Sequence, residues 1–228
     1  MTEQSLHLRV RAASDGCYMA PRAAALSGVP LSTVYWWARR GIVVPSVSPT
    51  REKLWSYADL IGLRIVSWLR HAKPGQLPAS PMPEVRRALE LLADQGLEMW
   101  DPAADRGPLI VDGRGSIFVR RGDTVLDSSG QPTLLPEHHL GLTEPFSVGG
   151  VTGPDLIAPR RHLRIVPAKV SGEPHIEDSR ITTITLAALA ARGYGIPQIA
   201  QMYDVSEAVV EEALDLEDQL AQPHPAAA

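Results

Sequence analysis

The sequence predicts a mainly α fold with a small β-rich middle, and three observations carry that prediction. Apolar residues recur at helical spacing near both ends of the chain, each run closed by Gly or Pro. Between them lie short β-branched runs divided by Asp-Gly, Arg-Gly and Ser-Gly turns. The 228 residues are 44% hydrophobic and 21% charged, the balance of a folded globular chain long enough for two small domains or one large one.

Taken in order, Pro21 to Leu26 is alanine-rich and helix-prone, and Ser27-Gly28-Val29-Pro30 makes a turn. Leu31 to Arg40 is the next helix, with Ser32 and Thr33 in its first turn and Gly41 as its stop. Ile42 to Val44 reads as a short strand ending at Pro45. A polar loop over 46–55 carries Arg51 and Lys53 and returns through Leu54 and Trp55. Ser56 and Asp59 have the spacing of a capping box, opening a helix with Leu60, Leu63, Ile65, Val66 and Leu69 mostly on one broad face. Lys73 to Pro83 reads as a linker. Pro83 then starts a helix whose Val85, Leu89 and Leu92 share a face.

Leu109 to Val111, Ser116 to Val119 and Thr124 to Leu126 read as strands, and Leu163 to Val166 as one more. Residues 136–160 receive no assignment. The last section is helical, over Thr183 to Ala191, Ile196 to Met202 and Ser206 to Leu220, with Pro223 to Ala228 as a frayed tail.

The net charge of −4 hides an asymmetry. Residues 1–75 hold ten Lys or Arg against four acids, a balance of +6, whereas the rest hold 12 bases and 22 acids, or −10. A basic first third on an acidic chain suggests a nucleic-acid module joined to something else. Cys17 is the single cysteine, so neither an intrachain disulfide nor a cysteine-based zinc site can form, and it reads as a structural thiol. The polar N-terminus lacks the apolar core of a signal peptide, and Ile181 to Ala191 is too short to span a bilayer. A cytoplasmic protein is expected.

Ala23, Ala24, Leu26, Ser27, Gly28 and Val29 form the first block of an ordered pattern. Thr33-Val34, Trp36-Trp37, Arg39, Gly41-Ile42-Val43 and Pro45 continue it, followed by Arg51, Trp55, Ser56, Asp59 and Leu60. In order and spacing this stretch resembles the DNA-binding head of the MerR family of bacterial transcription regulators, over about 50 residues. The resemblance implies a winged helix-turn-helix whose second helix enters the major groove. Tyr35 stands where the family usually has a basic residue, and Ala38 where it often has Glu. The expected DNA-binding residues are Ser32, Thr33 and Tyr35, near base edges, with Arg39, Arg40, Arg51 and Lys53 on phosphates. Trp36 and Trp37 are adjacent and face different ways, so one packs in the core and the other lies along the DNA backbone.

At the other end, Gly172, Pro174 and Ile176 lead into Ser179-Arg180-Ile181-Thr182, then Leu186, Leu189 and Gly193. Ile196, Ile199, Tyr203, Val205, Ser206, Val209 and Ala213 complete the run. Arg164 to Leu220 thereby resembles a small bacterial family of unknown-function domains, often found as antitoxins of Vap-type toxin–antitoxin pairs. The resemblance implies a PIN-domain ribonuclease toxin as partner. The final helix has six acids and no Lys or Arg, so phosphates would repel it, and this second helix-turn-helix is not expected to read DNA. Tyr203, Val209, Val210, Ala213 and Leu214 are instead expected at a partner or dimer interface. Arg180 is either a buried salt-bridge anchor to Glu177 or Asp204, or a partner contact.

None of the seven His residues has a metal-ligand spacing, no Gly-rich phosphate loop precedes a helix, and no nucleophile sits with a base. Neither an enzyme nor a metal or other cofactor is expected. The division by sequence is 1–75 winged helix-turn-helix, 76–167 linker, helix and β-rich middle, 168–222 antitoxin-like helical domain and 223–228 disordered tail. The expected function is a DNA-binding antitoxin of a type II toxin–antitoxin system, a homodimer that neutralises a PIN-domain toxin and represses its own operon. A stand-alone transcription regulator and a protein-interaction scaffold are the alternatives.

Overall fold

The structure is a computed structural model that describes residues 15–71, 78–94, 109–112, 114, 116–121, 123–127, 129–133, 146–148 and 151–222. The tail from Pro223 and residues 73–77 of the 73–83 linker lie outside the described residues. The fold is mainly α with small antiparallel sheets. By contact the chain divides into two compact units, Met1–Leu60 with Thr143–Ala228, and Ile61–Leu142. The sequence division above follows resemblance and composition, whereas this grouping follows contact.

In the first unit, β1 (Tyr18–Met19) runs into α1 (Ala20–Ser27), and Gly28 turns the chain into α2 (Leu31–Arg39). Gly28 has φ of 70°, and a Cβ there would meet the backbone N of Gly153 at 2.8 Å, so two separate reasons demand glycine. Gly41, also in the left-handed region, follows α2. Ile42 and Val43 are buried but form no strand. Their β-branched character serves packing, and the strand ladder forms elsewhere. The polar loop closes by a single bridge, Ser48 with Leu54, and β2 (Leu54–Trp55) then pairs with β1.

α3 (Tyr57–Arg70) begins in this unit, and the unit boundary falls after Leu60. Its start is the anticipated capping box: Ser56 Oγ accepts from Asp59 N–H at 3.2 Å, and Asp59 Oδ2 accepts from Ser56 N–H at 2.8 Å. The helix is buried on more than the one expected face, since Ile61 and Gly62 are as covered as Leu60 and Leu63.

The remainder of the unit is β7 (Phe146–Val148), β8 (Val151–Gly153), β9 (Leu163–Arg164), β10 (His175–Ile176), α5 (Thr183–Ala191), α6 (Ile196–Tyr203) and α7 (Glu207–Ala221). The hairpin β7–β8 falls in the stretch that sequence left unassigned. β9 and β10 pair antiparallel. Leu186, Ile199, Val210, Ala213 and Leu216 form the helical core, and α7 packs on both α5 and α6.

The second unit holds α4 (Met82–Asp94) and a four-stranded meander of β3 (Leu109–Val111), β4 (Ile117–Arg121), β5 (Thr124–Leu126) and β6 (Pro132–Thr133). Its alternation places Ile117 and Val119 inside, against α4. Asp127 Oδ1 accepts from the N–H groups of Ser129 and Gln131, fixing the turn between the last two strands.

Candidate nucleic-acid interface

α2 shows its two faces clearly. Val34 and Trp37 are buried, while Ser32, Tyr35, Trp36, Arg39 and Arg40 are exposed and Thr33 is half-buried. The paired tryptophans therefore divide as adjacency requires: Trp37 is 4% exposed and Trp36 is 41% exposed. The Arg40 guanidinium lies over the Trp36 ring, 5.7 Å from its centroid, and holds that ring at the surface. Tyr35 meets the buried Trp55 edge-on, with centroids 6.3 Å apart, so the helix is pinned to β2.

Pro30 precedes α2 and contributes no side-chain cap. The first hydrogen bond of the turn runs from Val34 N–H to the Pro30 carbonyl. The N–H groups at the front of the helix thus have no intrahelical acceptor.

The loop after α2 places Arg51 in solvent and Lys53 half-buried. Lys53 Nζ donates to the carbonyls of Pro49 at 2.9 Å and Thr50 at 3.2 Å, so its ammonium closes the loop. The base of the loop rests on Asp59. Besides the Ser56 N–H, Oδ2 accepts from Ser46 N–H at 2.8 Å and from the Ser46 hydroxyl at 2.9 Å. Burial pushes the Asp59 carboxyl above its ordinary 3.8, and these hydrogen bonds pull it back only in part.

At the other end, the residues expected at an interface separate. Val209, Val210 and Ala213 lie in the chain's own helical core, Leu214 and Tyr203 are half-buried, and Arg180 is exposed. Arg180 is thus not a buried anchor. Among the described residues Glu177 pairs instead with Arg164, at 2.6 Å. The amphipathic spacing of α7 explains the difference: its apolar stripe is consumed by α5 and α6, which leaves Glu207, Glu211, Asp215 and Asp218 outside.

Arg22 is the residue that sequence reading passed over. Its Nε donates to Glu173 Oε2 at 2.9 Å, and its two Nη groups bind Glu217 in a fork at 2.8 Å each. Thr183 also donates to Glu217. Tyr18 adds a second tie, its hydroxyl donating to the Gly172 carbonyl at 2.7 Å, and burial holds this phenol well above its ordinary range. The only sequence signal for Arg22 was a lone charge in an alanine-rich helix.

Cys17 is half-buried, and burial, followed by the charge of Glu52, pushes its thiol up. Among the described residues, no three His, Cys, Asp or Glu come together in a way that would hold a metal ion, and no helix is long and apolar enough to cross a membrane.

Residues 164–216 match the family described as Protein of unknown function (DUF433). No curated protein matches the chain. Among solved structures, the X-ray crystal structure of Rv2018 from Mycobacterium tuberculosis is similar at 16% identity and a TM-score of 0.48. That similarity covers 87% of this chain and 96% of that one.

Proposed function

We propose that the chain is a DNA-binding antitoxin of a type II toxin–antitoxin system, which represses its own operon and neutralises a PIN-domain ribonuclease. In this reading α1, the Gly28 turn, α2 and the loop to β2 are a MerR-like winged helix-turn-helix. One observation carries it: Ser32, Tyr35, Trp36, Arg39 and Arg40 stand together on the exposed face of α2 while Val34 and Trp37 anchor the opposite face. A short helix with a polar front and two arginines at its end suits the major groove, where side chains of the first turns reach base edges. The uncapped N–H groups at its start add a site for phosphate, and Arg51 extends the positive surface onto the wing.

α7 has the opposite character. Glu207, Glu211, Asp215 and Asp218 are exposed on it, which suits a basic protein surface and repels phosphates. A stand-alone regulator without a toxin is the second reading. The burial of Val209, Val210 and Ala213 favours it, because it removes much of the apolar surface that a partner would use.

The test is fluorescence anisotropy of the full chain on its own upstream DNA at two salt concentrations, beside Arg39→Ala/Arg40→Ala. Tight binding that weakens with salt, and falls by at least about tenfold in the double variant, is the expected result. Equal and negligible binding by both proteins, with and without the toxin encoded beside it, would overturn the DNA reading. Co-purification of a small ribonuclease separates the antitoxin from the stand-alone regulator.

A further inference from the structure

We propose that Leu31 and Tyr35, one turn apart on the exposed face of α2, read the C5-methyl groups of thymines in the major groove, so that the DNA this chain selects carries thymine at those positions. The inference deepens the DNA-binding reading above and rests on it. Ser32 and Arg39, seven residues apart, run along the middle of that face, with Tyr35 on one side and Trp36 on the other. Leu31 lies four residues before Tyr35 and shares its side, and each is 38% exposed. Seven residues of helix span about 10 Å, so Arg39 and Arg40 stand at the far end from Leu31 and Ser32. Among the described residues Arg39, Arg40 and Arg51 enter no ion pair. Glu52 is the one acid between Leu31 and Ala58.

The chemistry of the helix front selects the base. Guanine is read in the groove by the paired donors of Arg or Lys, and adenine by the amide of Asn or Gln. None of these residue types occurs from Leu31 to Ala38. The exposed front offers a hydroxyl, an aliphatic side chain and two aromatic rings instead. The thymine methyl is the apolar group that the major groove presents, and an apolar side chain is its matching contact. Tyr35 is fixed for that contact. Its ring meets Trp55, itself 0% exposed, edge-on at 6.3 Å, so little side-chain freedom is lost on binding. Trp36 is committed elsewhere, with the Arg40 guanidinium 5.7 Å from its ring, a pair suited to the sugar–phosphate backbone. Arg39, Arg40 and Arg51 add attraction for phosphates without sequence preference. Double-stranded RNA carries no such methyl, and side chains cannot read its narrow major groove, so the same chemistry selects DNA.

The test titrates the wild-type full chain, by fluorescence anisotropy, on its own upstream DNA, once with thymine and once with deoxyuridine at every thymine. Deoxyuridine keeps the base pairing and the hydrogen-bonding groups and lacks only the methyl. Affinity is expected to fall about fourfold for each methyl that is buried, the worth of one such group removed from water. Tyr35→Phe keeps the ring and should keep that difference, whereas Leu31→Ala/Tyr35→Ala should bind the two duplexes alike. In a second measurement 5-bromodeoxyuridine replaces thymine, with bromine where the methyl stood, and ultraviolet light couples it to an aromatic ring in contact. Mass spectrometry of the irradiated wild-type complex is expected to find the link at Tyr35.

Salt-sensitive binding that is equal on the thymine and uracil duplexes would overturn the inference and leave the DNA reading standing. A folded Leu31→Ala/Tyr35→Ala protein that still discriminates between the duplexes, or the absence of a link to Tyr35, would overturn it too. No binding to either duplex would overturn both readings together. If the double variant loses its helical circular dichroism spectrum, the wild-type comparison and the cross-link decide.

Discussion

Asp59 and His175 show how single buried polar groups hold this chain together. Asp59 is 7% exposed and takes donors from Ser46 and Ser56, so it binds the base of the loop to the start of α3. Asp59→Ala leaves two backbone N–H groups without their acceptor and removes half of a capping box. A loss of about 1–3 kcal/mol is expected in urea unfolding. His175 is 1% exposed, and its Nδ1 lies 2.9 Å from the Glu173 carbonyl, which it meets as donor in the neutral ring. Burial pushes it below its ordinary 6.5, and the positive charges of Lys169 and Arg180 act in the same direction, against the partial pull of that carbonyl. The unfolded chain therefore takes up a proton more readily than the folded one. The His175 contribution is whole above pH 6.5 and is lost as pH falls below it, toward the lower folded value. Unfolding free energies at about pH 8 and about pH 5.5 should differ in the wild type, and His175→Leu should reduce that difference.

At the scale of elements, the helices were legible because period and punctuation agree. Gly28, Gly41 and Gly193 all take positive φ near the helix ends that their positions suggested, and Ser56 with Asp59 opens α3 as its spacing requires. The strands were less legible where residues are buried for other reasons. Ile42 to Val44 has strand composition, yet β2 pairs with Tyr18–Met19, Trp55 with Tyr18 and Leu54 with Met19, a distant partner that no local pattern names. Burial direction on α7 was the other gap. Its apolar residues were visible, but whether they meet α5 and α6 or a second protein is a tertiary fact. Gly28 makes the element-scale prediction. Alanine there must hold φ near 70° and press against the Gly153 backbone, which cannot yield as a flexible side chain could. Gly28→Ala should cost about 2 kcal/mol or more, read as a lower melting temperature, whereas Gly41→Ala, with the same sign of φ and open space around it, should cost about 1.

At the scale of the whole molecule, the main feature hidden from sequence is that the first 60 residues share a compact unit with residues from 143 onward. Two resemblances at opposite ends suggest two independent domains, and the exposed face of α2 was legible on that basis. What sequence could not provide is the pairing of Arg22 with Glu173 and Glu217, separations of 151 and 195 residues. Tyr18 likewise reaches Gly172, Cys17 N–H donates to the Ser171 carbonyl, and α1 packs on α7. Gly172, with φ of 80°, has no Cβ in the space that the Tyr18 hydroxyl occupies. Arg22, Glu173 and Glu217 are each less than a quarter exposed, so removing Arg22 leaves two largely buried carboxylates facing each other. Arg22→Ala should therefore destabilise the chain by about 1–3 kcal/mol, and adding Glu217→Gln should recover part of that loss, which a double-mutant cycle in urea measures. The same ties predict that a fragment ending at residue 75 does not fold alone, since it retains α2 but loses the partners of Tyr18 and Arg22. Its amide proton spectrum should be collapsed, and the DNA affinity proposed for the full chain should fall although Arg39, Arg40 and Arg51 are all present. A dispersed spectrum would mean that the first 75 residues fold by themselves and that the Arg22 ties join two finished parts.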